Sequence, residues 1–150
     1  MDRRRLKRYG LMRYLLDTHT MLWIAFNQQK LSPRIQTILL DSQNDFFISV
    51  VSIWEINIKF SSGKLDLKDK TPADLMDGFN TYFKCSYLEL NISDAINLYK
   101  LNASHHKDPF DRMLIWQAIQ NKLTIITDDE QIHKYKDCGL KVIWQSLSST

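Results

Sequence analysis

Short apolar runs alternate along the chain with longer segments whose hydrophobic and polar positions follow a helical period. Five runs of four or five residues are typical of buried strands: RYLL (13–16), FFISV (46–50), YLEL (87–90), LTIIT (123–127) and KVIW (141–144). Helix-start signals fall between these runs. Ser32 before Pro33, and Thr71 before Pro72, each combine a capping side chain with a proline at the first helical position. The pattern therefore predicts strands separated by helices.

The segments between the strands supply one helix or more each. They are THTMLWIAF, a helix opening at 31–33, VSIWEINIKF with Gly63 as its stop, TPADLMDGFNTYFK, ISDAINLYKL, DPFDRMLIWQAI and a short helix near 129–136. This alternation favours βαβ units and a parallel sheet covered on both faces. We predict one α/β domain with three layers, α/β/α, around a central parallel sheet of four to five short strands. In such sheets, ligands bind outside the carboxyl ends of the strands.

Composition supports one globular domain and places the positive charge at one end. The 150 residues are 44% hydrophobic and 25% charged, which suits a single domain with its own core. The net charge is +3, but residues 1–14 carry six Lys or Arg against one Asp, so the remainder is slightly acidic. We expect residues 1–11 to be a basic arm, either disordered or preceding a true start at Met12. The domain is predicted over 12–146, with a tail over 147–150.

The cysteines and the apolar runs bear on the compartment. Cys85 and Cys138 are far apart, without Cys-x-x-Cys spacing, which favours a reducing compartment over a disulfide scaffold. No apolar run approaches the ~20 residues of a membrane span. The basic arm lacks the apolar segment of a secretory signal. We expect a cytoplasmic protein that does not enter a membrane.

Acidic residues stand where several strands end, and each has a structural alternative. Asp17 follows the first strand and could cap the next helix, although Thr18 and Thr20 offer capping oxygens and so favour a role in a site. Glu55 could close a capping box with Ser52. It is also flanked by apolar residues, so its carboxylate would be desolvated and would need a partner such as a cation.

The other two acidic groups open helices. Asp128 and Asp129 follow LTIIT, and at least one of them is expected to be an ordinary helix-start acid. In DPFD, Asp108 precedes Pro109 and fits the N-cap, which places Asp111 at the third helical position. Asp111 then lies on the face formed by Leu114, Ile115, Ala118 and Ile119, which would pack on the sheet. We predict that Asp108 caps the helix and that Asp111 points to the edge of the sheet.

Convergent carboxylates cannot all remain ionised without compensation, and a hard divalent cation supplies it. Oxygen ligands suit Mg²⁺ or Mn²⁺, which can activate a water for attack on a phosphoryl group. The histidines do not form a metal-binding pattern: His105 and His106 are expected in a solvated loop and His133 on the surface, and His19 is left open. No Gly-rich phosphate loop and no Ser-His-Asp arrangement is visible in the sequence.

Four stretches, in this order, resemble the PIN domain and, within it, the VapC-type ribonuclease toxins. They are MRYLLDTHTMLW, ISVVSIWEINIKFSSGKL, HHKDPFDRMLIWQA and LTIITDDEQIHKY, and the resemblance covers roughly 12–144. It implies a PIN-like fold and an endoribonuclease dependent on Mg²⁺ or Mn²⁺. The catalytic, metal-binding residues would be Asp17, Glu55, Asp111 and Asp129, with Thr127, His19, Asp108 and Asp128 in secondary positions. The arm 1–11 has no counterpart in the family, and Trp116 stands where a small residue is common.

The same resemblance implies partners. They would be an RNA substrate, a second copy in a homodimer, and a small VapB-like antitoxin whose C-terminal segment covers the acidic groove, often with an Arg or Lys near the metal. Leu22, Trp23, Ile24, Phe26 and the surroundings of Trp54 are either docking surfaces or core. Two alternatives remain: a catalytically silent PIN module that binds RNA or a partner, and a haloacid-dehalogenase-type phosphatase. The phosphatase is disfavoured because Asp17-Thr18-His19 replaces its Asp-x-Asp motif.

Overall fold

A computed structural model of the protein describes residues 12–101 and 108–144. Its strands are β1 (Arg13–Leu16), β2 (Asp45–Ser49), β3 (Ser86–Leu88), β4 (Thr124–Ile126) and β5 (Lys141–Ile143). Its helices are α1 (Thr18–Phe26), α2 (Pro33–Leu40), α3 (Val50–Ser61), α4 (Pro72–Tyr82), α5 (Ile92–Asn97), α6 (Pro109–Asn121) and α7 (Glu130–His133), with 3₁₀ turns at Gln28–Lys30, Leu98–Lys100 and Lys134–Cys138.

All five strands form one parallel sheet in the order β3-β2-β1-β4-β5. Leu15 at the centre is in register with Phe47 of β2 on one side and with Ile125 of β4 on the other. The chain first extends the sheet from β1 to β3, then crosses to the opposite side of β1 to add β4 and β5. This reversal makes the carboxyl ends of β1 and β4 the switch point of the sheet, where open parallel sheets generally have their ligand-binding crevice.

Two apolar layers bury the two faces of the sheet. Tyr14 and Leu16 of β1 belong to one cluster, with buried side chains from α1 to α4 such as Met21, Ile35, Ile56, Leu75 and Phe79. Leu15 points to the opposite face and joins a cluster with Leu114, Ile115 and Ala118 of α6 and with Tyr135. Successive side chains of β1 alternate between the two faces and belong alternately to the two clusters, so both faces of the sheet are covered. The predicted three-layer α/β/α fold is confirmed.

The helix-start and helix-stop signals act as the sequence predicts. Ser32 Oγ accepts a hydrogen bond from the Ile35 amide at 3.2 Å, and Thr71 forms a reciprocal capping box with Asp74. Gly63 takes a φ of 76° just after α3 ends, which suits glycine because it has no Cβ.

Some expectations fall outside the described residues, namely those for the arm 1–11, for His105 and His106, and for the tail 147–150. Cys85 and Cys138 are both free thiols. Among the helices described, none has the length and apolar character needed to cross a membrane.

Candidate active site at the carboxyl edge of the sheet

Asp17 is the single residue between β1 and α1, and both of its carboxylate oxygens are engaged. Oδ1 accepts from the Thr20 amide at 2.8 Å, and Oδ2 accepts from the hydroxyl of Thr127 at the end of β4. Asp17 is only 3% exposed. Burial raises the pKa of its carboxyl, while the hydrogen bonds from Thr127 and Thr20 oppose that rise. The carboxylate is therefore fixed at the crevice.

Thr18 and Thr20 do not relieve Asp17 of capping, so that expectation is wrong. Asp17 is itself the N-cap of α1. The Thr20 hydroxyl donates to the Ile126 carbonyl at 2.9 Å, and the Thr18 hydroxyl donates to Glu55 Oε1 at 2.7 Å. Both hydroxyls are drawn away because the adjacent strand and α3 offer buried acceptors, so capping falls to Asp17. Asp17 thus caps α1 and also lies at the end of β1.

Glu55 is buried in the second turn of α3, and it does not form the capping box that Ser52 suggested. Strand β2 runs directly into α3, so Ser49 is the N-cap and accepts from the Val51 amide at 3.0 Å. Ser52 lies inside the helix, and its hydroxyl oxygen is buried without a partner among the described residues. The capping-box alternative is therefore wrong, because the helix begins before Ser52.

A cation does accompany Glu55, and it comes from the chain itself. Lys59 Nζ lies 2.7 Å from Glu55 Oε2, one helical turn further along α3. The hydrogen bond to Glu55 raises the pKa of the Lys59 ammonium; partial burial opposes that rise, and the carboxylates of Asp108 and Asp111 add to it. Sequence reasoning missed Lys59, although its spacing of four residues from Glu55 was visible.

Asp108 begins α6, as predicted, and Asp111 follows in its first turn. Asp108 Oδ1 accepts from the amides of Phe110 and Asp111 at 2.9 and 3.1 Å, so Asp108 is the N-cap. Asp111 is half-buried in the first turn of α6, ahead of the buried Met113, Leu114 and Ile115. Next to it, the Phe110 ring contacts Trp54 edge-on, with 5.0 Å between ring centroids, and Trp54 is 56% exposed. An aromatic pair therefore lies beside the acidic residues.

Thr127 connects the two central strands at the site. Its hydroxyl donates to Asp17 and accepts from the Asp129 amide at 3.0 Å. Asp129 caps α7 by accepting from the Gln131 amide at 2.8 Å, while Asp128 is exposed. One of this acidic pair is thus a helix-start residue, as expected, and it is Asp129.

The two described histidines near the site behave differently. His133 is half-buried, with Nε2 at 2.8 Å from the Thr127 carbonyl oxygen. The expectation of a surface residue is wrong, because α7 is one short turn that folds His133 back onto β4. His19 is exposed, with its ring 6.2 Å from that of Trp23, and it weakly opposes the rise in the pKa of Asp17 that burial causes. His133 therefore supports the backbone of the site.

The four acidic residues come from four different parts of the chain around one edge of the sheet, and two hydrogen-bonded groups are described there. Asp17, Thr127 and Asp129 form one group, and Thr18, Glu55 and Lys59 form the other. Asp111 acts on Lys59 through its charge. Within 12–101 and 108–144, no three His, Cys, Asp or Glu side chains are grouped closely enough to hold a metal as they stand. The oxygen-only donors nevertheless fit Mg²⁺ or Mn²⁺ in kind, and Glu55 already pairs with a cation.

The model of the PIN domain family matches residues 14–137. Because that match spans most of the chain, this protein belongs to the PIN domain family. No curated protein matches the chain by sequence.

Solved structures with the same fold include three structures of VapBC proteins. VapBC2 from Rickettsia felis, bound to a fragment of promoter DNA, shares 19% identity at a TM-score of 0.65, over 89% of this chain and 100% of that one. DNA-bound VapBC from Salmonella typhimurium shares 17% identity at a TM-score of 0.64, over 89% of this chain and 98% of that one. VapBC-1 from nontypeable Haemophilus influenzae shares 16% identity at a TM-score of 0.61, over 88% of this chain and 97% of that one. At these identities the likeness shows the fold alone.

Proposed function

We propose that this protein is a metal-dependent endoribonuclease and the toxin of a toxin–antitoxin pair. The observation that carries the proposal is the arrangement of Asp17, Glu55, Asp111 and Asp129 around the carboxyl ends of β1 and β4, in a chain of the PIN family. The toxin role is supported by the likeness to the VapBC complexes.

In this proposal the four carboxylates hold Mg²⁺ or Mn²⁺. The bound cation would polarise a phosphoryl oxygen of RNA and activate a water for in-line attack. Asp17 would keep a fixed orientation because Thr20 and Thr127 occupy its two oxygens. Thr18 would orient Glu55 in the same way. Trp54, exposed beside this edge, offers a face on which an unpaired base can stack, which favours single-stranded or looped RNA.

Cleavage of a labelled single-stranded RNA tests the activity. We expect cutting in Mg²⁺ or Mn²⁺, loss of cutting in EDTA, and loss of at least ~100-fold in rate with Asp111→Asn. Asp108→Asn is the matched control, because it lies one turn away and asparagine also caps helices. Cleavage by Asp111→Asn at the parental rate would reject the assignment. RNA binding without cleavage by the parental protein in either metal would favour the alternative of a silent binding module.

The proposed antitoxin partner has a surface of suitable chemistry away from the acidic edge. An apolar groove of about 630 Å³ runs between α1, α2 and α4, lined by Ile24, Phe26, Leu31, Leu39, Leu75 and Phe79 among others. An amphipathic segment of the antitoxin would lay its apolar face there. Co-expression with the product of a short adjacent reading frame should yield a stable complex, and Leu39→Lys should weaken it. A complex of unchanged affinity would remove this surface from the proposal.

The homodimer also remains a proposal. Ile92, Ile96 and Tyr99 are 78%, 63% and 77% exposed, and their spacing places them on one side of α5 and the 3₁₀ turn that follows it. Light scattering should give twice the chain mass, and Ile96→Glu should give a monomer. A monomeric parental protein at micromolar concentration would reject the dimer.

A further inference from the structure

The acidic edge includes a positive charge that the proposed reaction does not use. Lys59 Nζ contacts Glu55 Oε2 at 2.7 Å, and the other Glu55 oxygen accepts from Thr18 at 2.7 Å. Both oxygens of Glu55 are therefore occupied by groups of the protein. A neutral hydroxyl or amide donor leaves a carboxylate oxygen able to coordinate a metal, as at Asp17, but the Lys59 ammonium repels a divalent cation placed on the same carboxylate.

The pair is not an ordinary surface ion pair. The Glu55 side chain is 6% exposed and that of Lys59 is 41% exposed, so the carboxylate is buried while the ammonium reaches it from the rim. Exposed pairs contribute little to stability, whereas a buried carboxylate without a partner is strongly unfavourable. Asp108 and Asp111 act on the same ammonium through their charges.

We propose that Lys59 is a positioning residue that serves as the counter-cation of the metal-free site and competes with the divalent metal for Glu55. Without metal, its ammonium holds the buried carboxylate and offsets the repulsion among the acidic side chains. Metal binding displaces the ammonium from Glu55, so Lys59 weakens metal affinity while it stabilises the empty protein. This inference rests on the proposed function, because it takes Glu55 as a metal ligand.

Three variants of the full-length chain test the proposal. Lys59→Met removes the charge with little change in length, and Lys59→Arg keeps the charge. Lys84→Met is the matched control, because Lys84 is exposed in the loop before β3, at the opposite end of the strands. Mn²⁺ affinity is measured by calorimetry, and the melting temperature is measured in EDTA.

We expect Lys59→Met to bind Mn²⁺ about fivefold tighter than the parental protein, as removal of one nearby positive charge implies. In EDTA, Lys59→Met should melt several degrees below Lys84→Met, and added Mn²⁺ should reduce this difference in melting temperature. Lys59→Arg should match the parental protein in both measurements. Lys59→Gln supplies a second neutral variant if Lys59→Met does not fold.

Two results would overturn the proposal: equal or weaker Mn²⁺ binding by the neutral Lys59 variant, or equal melting of that variant and Lys84→Met in EDTA. Failure of the proposed function looks different. In that case the parental protein binds no Mn²⁺, or Asp111→Asn binds it equally well. The comparison in EDTA needs no metal, so it still decides the counter-cation role.

Discussion

Replacing Thr127 with valine removes one hydroxyl from the centre of the site while keeping the shape of the side chain. Thr127 is fully buried, donates to Asp17 and accepts from the Asp129 amide. A hydrogen bond to a charged acceptor contributes about 1.5–3 kcal/mol, and water can replace part of the bond to Asp129, which is half-buried. We therefore expect Thr127→Val to lower the free energy of unfolding by about 2 kcal/mol, or ~4–8 °C in melting temperature.

The stability that Thr127→Val removes should be larger at neutral pH than at acidic pH. Burial raises the pKa of the Asp17 carboxyl from 3.8, and the Thr127 hydrogen bond opposes that rise, so Thr127→Val raises the pKa further. A carboxyl with a raised pKa contributes stability below its unfolded-state pKa, and that contribution is lost as the pH rises through its folded-state pKa. Thr127→Val should therefore cost more stability at pH 7 than near pH 4.

Urea unfolding of the metal-free protein at both pH values measures this cost. Thr127→Ser is the matched control, because it keeps the hydroxyl and loses only a methyl group, at about 0.8 kcal/mol. We expect serine to be more stable than valine at pH 7, with a smaller difference near pH 4. If valine is as stable as serine at pH 7, the hydrogen bond to Asp17 does not contribute as argued.

Three further predictions concern other parts of the fold, each measured by urea unfolding. Asp108→Ala should lower the free energy of unfolding by about 1 kcal/mol through the lost cap, while RNA cleavage persists. Loss of cleavage with unchanged stability would mean that Asp108, and not Asp111, serves the reaction. Lys122→Gly should stabilise by about 0.5–1 kcal/mol, because Lys122 ends α6 at a φ of 56°, and a loss of stability would contradict this. Ser49→Ala should lower the free energy of unfolding by about 2 kcal/mol, because Ser49 caps α3 and donates to buried Gln117 at 2.6 Å. Ser61→Ala, at the exposed end of α3, is its control, and an equal loss of stability in both variants would argue against a contribution from these two hydrogen bonds.

Much of the fold follows from local signals in the sequence. The strands were predictable because fully buried strands are continuous apolar runs. The bounds of β2, β4 and β5 differ from the prediction by one residue at one or both ends, and the largest deviation is at the edge strand β3, predicted over 87–90 and observed at Ser86–Leu88. Asp108 and Asp111 could be separated because Pro109 fixes the start of α6. Each of these predictions needs only the residues within one or two turns.

The contacts within the site could not be read in the same way. The hydroxyl of Thr18 is taken by Glu55, 37 positions away, and that of Thr20 by Ile126, 106 positions away. These long-range acceptors override local capping preferences, which is why the argument about Asp17 was wrong. The Ser52 capping box failed because β2 passes into α3 without a loop. His133 was misassigned because its partner, the Thr127 carbonyl, is a backbone atom that no residue pattern reveals.

The junctions at Asp17 and between Ser49 and Val50 leave almost no chain between a strand and the helix that follows it. One inserted residue at either junction would turn the whole helix by about 100° relative to its strand, at 3.6 residues per turn. The apolar face of α1 or α3 would then leave the core, and Glu55 would swing away from the crevice. Changes in chain length at the acidic edge are therefore far more damaging than substitutions there. Tags or inserted domains belong instead in the exposed turn at 68–70, between the buried Leu67 and the cap at Thr71, away from these junctions.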